Sequence, residues 1–227
     1  GSDIIGEWSF DNEASPEADD SGNGNSGTLV GMEMPEDSVP GKVRSALNFQ
    51  GAEYVNIPDT NNSLDFPEKI TIEMWFYPKS ITTAYASNPL YKHGSTSNSN
   101  FILYFFGDYN GVYPNNKGRL MFYANAGGTW RIVSREYRIT EVKKWYHIAW
   151  TYDSNSASRF YINGQKIGTD LSSLGSLSTN DSPLRIGGNA SDFDAIIDEV
   201  RIYKTILSAK EIQQLYVEGM QRYLSNK

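Results

Sequence analysis

The densest run of oxygen donors lies between residues 11 and 27. It holds Asp11, Asp19, Asp20, Asn23 and Asn25 among serines and glycines. A hard cation such as Ca²⁺ collects carboxylate, amide and backbone carbonyl oxygens. Glycines let a loop turn its carbonyls inward. The same residues also build ordinary Asx turns. The stretch lacks the loop spacing and flanking helices of an EF-hand.

A second chemistry is carried by aromatic rings. Tyr85, Tyr91, Tyr104, Tyr109, Tyr113, Tyr123 and Trp130 fall in or near loops and middle strands. Their polar neighbours are His93, Asn100, Asp108, Asn125 and Arg131. Aromatic faces take the apolar faces of sugar rings, while amides, carboxylates and guanidinium groups bond the hydroxyls. The candidate ligand-binding set is Tyr91, His93, Tyr104, Asp108, Asn125, Trp130 and Arg131. Packing competes for such rings. Trp8, Phe49, Trp75, Trp145 and Trp150 sit in alternating runs and read as core. His147 lies inside a strand-like run with no adjacent nucleophile to activate, so it reads as structural.

The chain has no cysteine among its 227 residues, which excludes disulfides and cysteine-held zinc. Its formal net charge is −7, with no cluster of Lys or Arg, so no nucleic-acid partner is expected. No run of about 18 apolar residues exists to span a membrane. Gly1-Ser2 has the look of a cloning remnant.

Strands must position these groups. Period-two alternation and turn clusters predict them at 4–10, 46–49, 54–57, 70–77, 101–106, 119–123, 131–134, 145–152, 159–162, 184–186 and 196–203. Gln50-Gly51 reads as the turn of a hairpin between 46–49 and 54–57. Asn163-Gly164 has the composition of a type I′ turn. One helix is expected near the end. Ser208 caps it, Glu211 completes a capping box, and Ile212, Leu215, Tyr216 and Met220 form its apolar stripe. The polar tail 221–227 is expected to fray. No repeat or linker divides the chain, so residues 1–227 read as one all-β domain.

Several segments recur in one order: Gly6-Glu7-Trp8-Ser9-Phe10-Asp11, Asp20-Ser21-Gly22-Asn23-Gly24-Asn25, Ala46-Leu47-Asn48-Phe49-Gln50-Gly51, and Ile70-Thr71-Ile72-Glu73-Met74-Trp75. They continue with Trp145-Tyr146-His147-Ile148-Ala149, Phe160-Tyr161-Ile162-Asn163-Gly164, Leu184-Arg185-Ile186-Gly187-Gly188, and Ile197-Asp198-Glu199-Val200-Arg201-Ile202-Tyr203. Across essentially the whole chain this order resembles the laminin-G-like domains of the concanavalin A-like lectin/glucanase superfamily. The resemblance implies a two-sheet antiparallel jelly-roll β-sandwich with first and last strands adjacent. It implies a non-catalytic, extracellular or cell-surface adhesion module that binds a glycan or a protein, often with a structural Ca²⁺. Adjacent end strands would let Asp11 and Asp198 share that ion, with Asp20, Asn23 and Asn25 and other oxygens of the loop.

The same superfamily includes glycosidases and polysaccharide lyases. The pattern Glu-x-Asp-x-x-Glu, which sets carboxylates on one strand face about 7 Å apart, is absent; Glu73 stands without its partners. Ser134-Arg135-Glu136-Tyr137-Arg138 approaches an Arg-x-Glu-x-Arg lyase strand but begins with serine. Residues 213–227 are also similar to the end of such domains on bacterial pilin- or pseudopilin-like proteins. That likeness implies an N-terminal hydrophobic anchor and an assembly role.

Overall fold

The computed structural model describes residues 3–81, 84–94 and 100–225. In chain order the strands are β1 (Ile4–Trp8), β2 (Thr28–Val30), β3 (Ser38–Pro40), β4 (Ser45–Gln50), β5 (Tyr54–Ile57), β6 (Lys69–Pro78), β7 (Ala86–Lys92), β8 (Phe101–Phe106) and β9 (Arg119–Ala126). They continue as β10 (Thr129–Ile132), β11 (Tyr137–Arg138), β12 (Tyr146–Asp153), β13 (Ala157–Ile162), β14 (Gln165–Lys166), β15 (Leu171–Ser172), β16 (Leu184–Gly187) and β17 (Asp194–Tyr203), followed by helix α1 (Ala209–Ser225). Sheet A runs β14-β13-β12-β6-β17-β4-β3, with β1 on β17 and β15 on β13. Sheet B runs β10-β9-β8-β7-β16-β5-β2, with β11 on β9. The pairs are antiparallel, and the two sheets form a jelly-roll sandwich.

Alternation decides which side chains fill the space between the sheets. Ile70, Ile72, Met74 and Phe76 of β6 face inward, as do Phe101, Leu103 and Phe105 of β8 and Leu120 and Phe122 of β9. Phe122 of sheet B stacks on Trp150 of sheet A with centroids 4.6 Å apart. Each such buried side chain contributes about 1.5–3 kcal/mol.

The other parity of sheet A, Thr71, Glu73 and Trp75 with His147 and Arg201, faces α1. Tyr216 stacks on Trp75 at 5.6 Å. Gly219 lies so close to Trp75 that a Cβ there would stand 2.7 Å from its ring. The capping box forms: Glu211 N–H donates to Ser208 Oγ at 3.2 Å, and Ser208 N–H donates to Glu211 Oε2 at 2.7 Å.

Four expectations are corrected. Residues 45–50 and 54–57 form no hairpin. β4 pairs with β17 and β3 in sheet A, and β5 pairs with β16 and β2 in sheet B. The Gln50-Gly51 turn is a crossing between layers. The tail does not fray at 221, because α1 continues to Ser225. Trp145 precedes β12 and is only half-buried, packed on Tyr77 at 5.2 Å. The strand of residues 86–92 was not among those expected, and it holds Pro89, which cannot donate to a ladder. A register shift between Ser87 and Leu90 takes it out of the pairing. Asn163 and Gly164 do have positive φ, 51° and 74°.

Candidate functional site

The outer face of sheet B is not covered by the helix. Strand alternation brings Tyr54 and Asn56 of β5, Arg185 of β16, Tyr91 of β7, Ile102, Tyr104 and Phe106 of β8, Tyr123 and Asn125 of β9, and Trp130 of β10 to it. The rings form a continuous series. Tyr109 meets Tyr113 at 6.0 Å, Tyr113 meets Tyr85 at 5.7 Å, and Tyr85 meets Phe106 at 5.6 Å. Phe106 meets Tyr104 at 5.2 Å, Tyr104 meets Tyr123 at 5.1 Å, Tyr123 meets Trp130 at 6.1 Å, and Trp130 meets His93 at 6.3 Å. Tyr85, Tyr109 and Tyr113 are about half exposed (49%, 50% and 48%). Burial pushes the phenols of Tyr91, Tyr104 and Tyr123 up, so they stay neutral hydroxyls able to donate and accept. Burial lowers the His93 imidazole, favouring its neutral form. Asn125 Oδ1 is buried without a hydrogen-bond partner.

Of the residues read from the sequence, Tyr91, His93, Tyr104, Asn125 and Trp130 are brought together here. Arg131 is not. It pairs with Ala124, whose side faces the core, so alternation turns it from Trp130's face. Asp108 lies in the loop after β8, where Lys117 Nζ donates to it at 3.3 Å. Tyr54, Asn56, Phe106 and Arg185 were missed. The signal was present in Leu184-Arg185-Ile186, a charge between two core residues and therefore on the outer face.

The oxygen-rich loop hydrogen-bonds to the first strand. Asp19 Oδ1 accepts from Glu7 N–H at 3.0 Å and its Oδ2 from Asn25 N–H at 2.8 Å. Asp20 accepts from Ser9 Oγ at 2.5 Å. Asn23 and Asn25 donate to the carbonyls of Ile4 and Ile5, each at 2.9 Å. Asp20, Asn23 and Asn25 thus brace β1. Asp11 and Asp198 instead converge on the segment before β4. Ser45 N–H donates to Asp11 Oδ1 at 3.0 Å, and Val43 N–H donates to Asp198 Oδ2 at 2.9 Å. Burial, reinforced by Glu199 and Asp11, pushes the Asp198 carboxyl well up. Its Oδ1 is buried with no partner. Gly41 makes this approach possible, since a Cβ there would lie 2.6 Å from Asp198 Oδ2. A cavity of about 380 Å³ opens beside Asp11, Val43, Arg44, Arg222 and Ser225. An orphaned carboxylate oxygen beside a second carboxylate fits a hard cation.

The Glu73–His147 pair is 2.7 Å apart, with side chains 2% and 0% exposed. Arg201 donates to Glu73 at 2.9 Å, to Glu7 at 2.6 Å and to Glu199. Glu73 and His147 lie on the sheet A face that packs against α1, with Glu199 and Arg201 lining a small pocket beside the helix. Residues 134–138 are equally engaged. Ser134 Oγ accepts from Phe122 N–H at 2.7 Å, Arg135 holds Thr169, and Arg138 donates to Lys117 and Asn115 carbonyls at 2.6 and 2.7 Å.

Sheet order and the pairing of the end strands define a jelly-roll sandwich with aromatic rings on the outer face of sheet B. The laminin G family model of the concanavalin A-like lectin/glucanases superfamily matches residues 49–213, and the chain belongs to that family. No curated protein matches it. Among solved structures, domain 4 of AbnA, a GH43 extracellular arabinanase from Geobacillus stearothermophilus, in complex with arabinotriose, is 22% identical with a TM-score of 0.69; the match covers 94% of this chain and 98% of that one. The receptor binding domain of botulinum neurotoxin mosaic serotype C/D is 16% identical with a TM-score of 0.71, covering 95% and 50%. The binding domain of botulinum neurotoxin DC in complex with rat synaptotagmin II is 14% identical with a TM-score of 0.67, covering 96% and 52%. The chain therefore spans about half the length of these toxin domains. These likenesses establish the fold.

Proposed function

We propose that this chain is a non-catalytic module that binds carbohydrate outside the cell, with the ligand lying across the outer face of sheet B. The observation that carries the reading is the series of rings from Tyr109 to His93 along the outer face of sheet B, while α1 packs on sheet A. Neutral phenols and the buried, unpartnered Asn125 Oδ1 supply hydrogen-bonding groups beside stacking surfaces. The arabinotriose complex of the arabinanase domain supports a glycan. The burial of the Glu73–His147 pair, on the sheet A face that packs against α1, supports a binding rather than a catalytic role. Among the described residues no helix is long and apolar enough to cross a membrane. Asp11 and Asp198 would hold a Ca²⁺ of structural role, which neutralises their carboxylates and ties the first strand's exit to the last strand.

The test is a glycan array followed by calorimetric titration of wild type, Tyr123→Ala and Trp130→Ala. Stacking loss should weaken any glycan hit in both variants. Array hits unaffected by either would remove the sheet B face from the reading. A second reading has one observation in its favour. Tyr85, Tyr109, Val112 and Tyr113 make an exposed apolar cluster at one end of the face, suited to a protein partner. The toxin domain bound to synaptotagmin supports a protein ligand on this fold. An empty array with retained binding to a cell-surface protein would favour it, and with it the pilus-like assembly role.

A further inference from the structure

We propose that Arg185 reads a carboxylate, so that the outer face of sheet B takes a polysaccharide containing uronic acid units. This rests on the glycan-binding reading above. Arg185 lies half-buried on β16, in the middle of sheet B. Its Nε donates to Asn56 Oδ1 at 3.1 Å. Its guanidinium sits 4.8 Å from the Tyr54 ring centroid and 5.9 Å from that of Tyr91. These contacts hold the group in place through neutral partners. Among the described residues no carboxylate pairs with it. Two other buried cations differ: Lys92 has Asp59 at 2.9 Å and Asp65 at 3.2 Å, and Arg201 has three glutamates. A fixed, half-buried cation without a counter-ion is a preorganised anion site.

Geometry narrows the anion. Asn56 takes the Nε–H and Tyr54 and Tyr91 lie beside the guanidinium, so its contacts are all with neutral groups. A guanidinium edge presents parallel N–H donors matched to a planar carboxylate. The charge of the chain argues the same way. At a net −7 the protein repels densely sulfated polymers, whereas one local cation suits one charge per recognised unit. The size of the ligand follows from the register. Asn56, Arg185, Tyr91, Ile102 and Tyr123 lie in one cross-strand row. Arg185 and Tyr123 are three strand spacings apart, about 14 Å. A single sugar ring cannot touch both, so the occupant is an oligosaccharide or an internal stretch of a chain.

The experiment is calorimetric titration with oligouronates of galacturonic, glucuronic, mannuronic and guluronic type. Each is compared with its carboxyl-reduced counterpart and with a sulfated dextran, using wild type, Arg185→Gln and Arg185→Lys. At least one oligouronate should bind wild type about ten- to hundredfold more tightly than its reduced form, the loss expected for a charged hydrogen bond. Arg185→Gln should erase that difference, while Arg185→Lys retains part of it. The comparison of acid with reduced ligand in wild type needs no variant, so it stands even if a substitution impairs folding. Equal affinity for both forms, preference for sulfated dextran, or indifference to Arg185→Gln would overturn the proposal. Wild-type binding to neutral glycans that is lost in Trp130→Ala, with no preference for the acid form, would overturn the proposal and leave the glycan reading standing. Binding to no glycan at all would remove both.

Discussion

Glu73 and Asp198 leave the same face of sheet A from adjacent strands and meet opposite surroundings. Burial opposes the charge of Glu73, but the hydrogen bond and charge of His147, with Arg201 beside it, overcome that and hold its carboxyl below the usual range. Asp198 has burial and two neighbouring carboxylates against it and is pushed up. The folded-state pKa of Glu73 is therefore depressed. Its contribution is present above the unfolded value of about 4.3 and is lost as pH falls through the folded value. Thermal melts from pH 7 down to pH 3 should show wild type losing stability in the acid range more steeply than Glu73→Gln. At pH 7 Glu73→Gln should be less stable by about 3 kcal/mol, because Arg201 loses a buried partner. Parallel pH profiles would refute this. Little of the network was legible in the sequence. Glu73 stood without its catalytic partners there, and its real partners, His147 and Arg201, come from strands 74 and 128 residues away. Arg185, by contrast, was readable as a charge between two core residues. Its lack of a counter-ion was not, since that depends on what β5 and β7 bring beside it.

Alternation exposed most strands because inward and outward positions differ sharply in polarity. It failed where local signals do not report partners. Residues 46–49 and 54–57 both alternate and a turn joins them, yet nothing local says that they enter different sheets. The helix shows the reverse, with cap and stripe both written in the sequence. Its docking rests on Gly219 against Trp75. Alanine there would gain up to about 1 kcal/mol of helix propensity and lose about 1–3 kcal/mol to overpacking, which blurs the sign. Valine gains less and clashes more. Gly219→Val should therefore lower the melting temperature and shift tryptophan fluorescence to the red as the helix lifts from Trp75. Unchanged emission would show that α1 does not depend on this contact. Ser208→Ala should act at the other end of the helix, with a loss of about 1 kcal/mol from the cap and no change in emission.

At the scale of the whole molecule, the sandwich is closed by pairing its ends. β1 lies on β17, and Arg201 reaches Glu7 across 194 residues of sequence. The 41–45 segment is tied to the same place by Asp11 and Asp198. A cation there would bind only the closed arrangement, so it stabilises by mass action, about 2.7 kcal/mol at a free concentration 100 times the Kd. For a chain of this size that is roughly 5–10 °C in melting temperature. Without metal, Asp198 is a burden on the fold at neutral pH, because burial and its neighbouring carboxylates raise its folded pKa above the unfolded one. Asparagine preserves the acceptor for Val43 N–H and removes the charge. Asp198→Asn should therefore match or exceed wild type when both are melted in chelator, and fall behind it when both are melted in Ca²⁺. A single loss of stability under both conditions would assign Asp198 to packing alone. A wild type indifferent to Ca²⁺ would remove the metal and leave Asp198 as a buried acid held neutral by its surroundings.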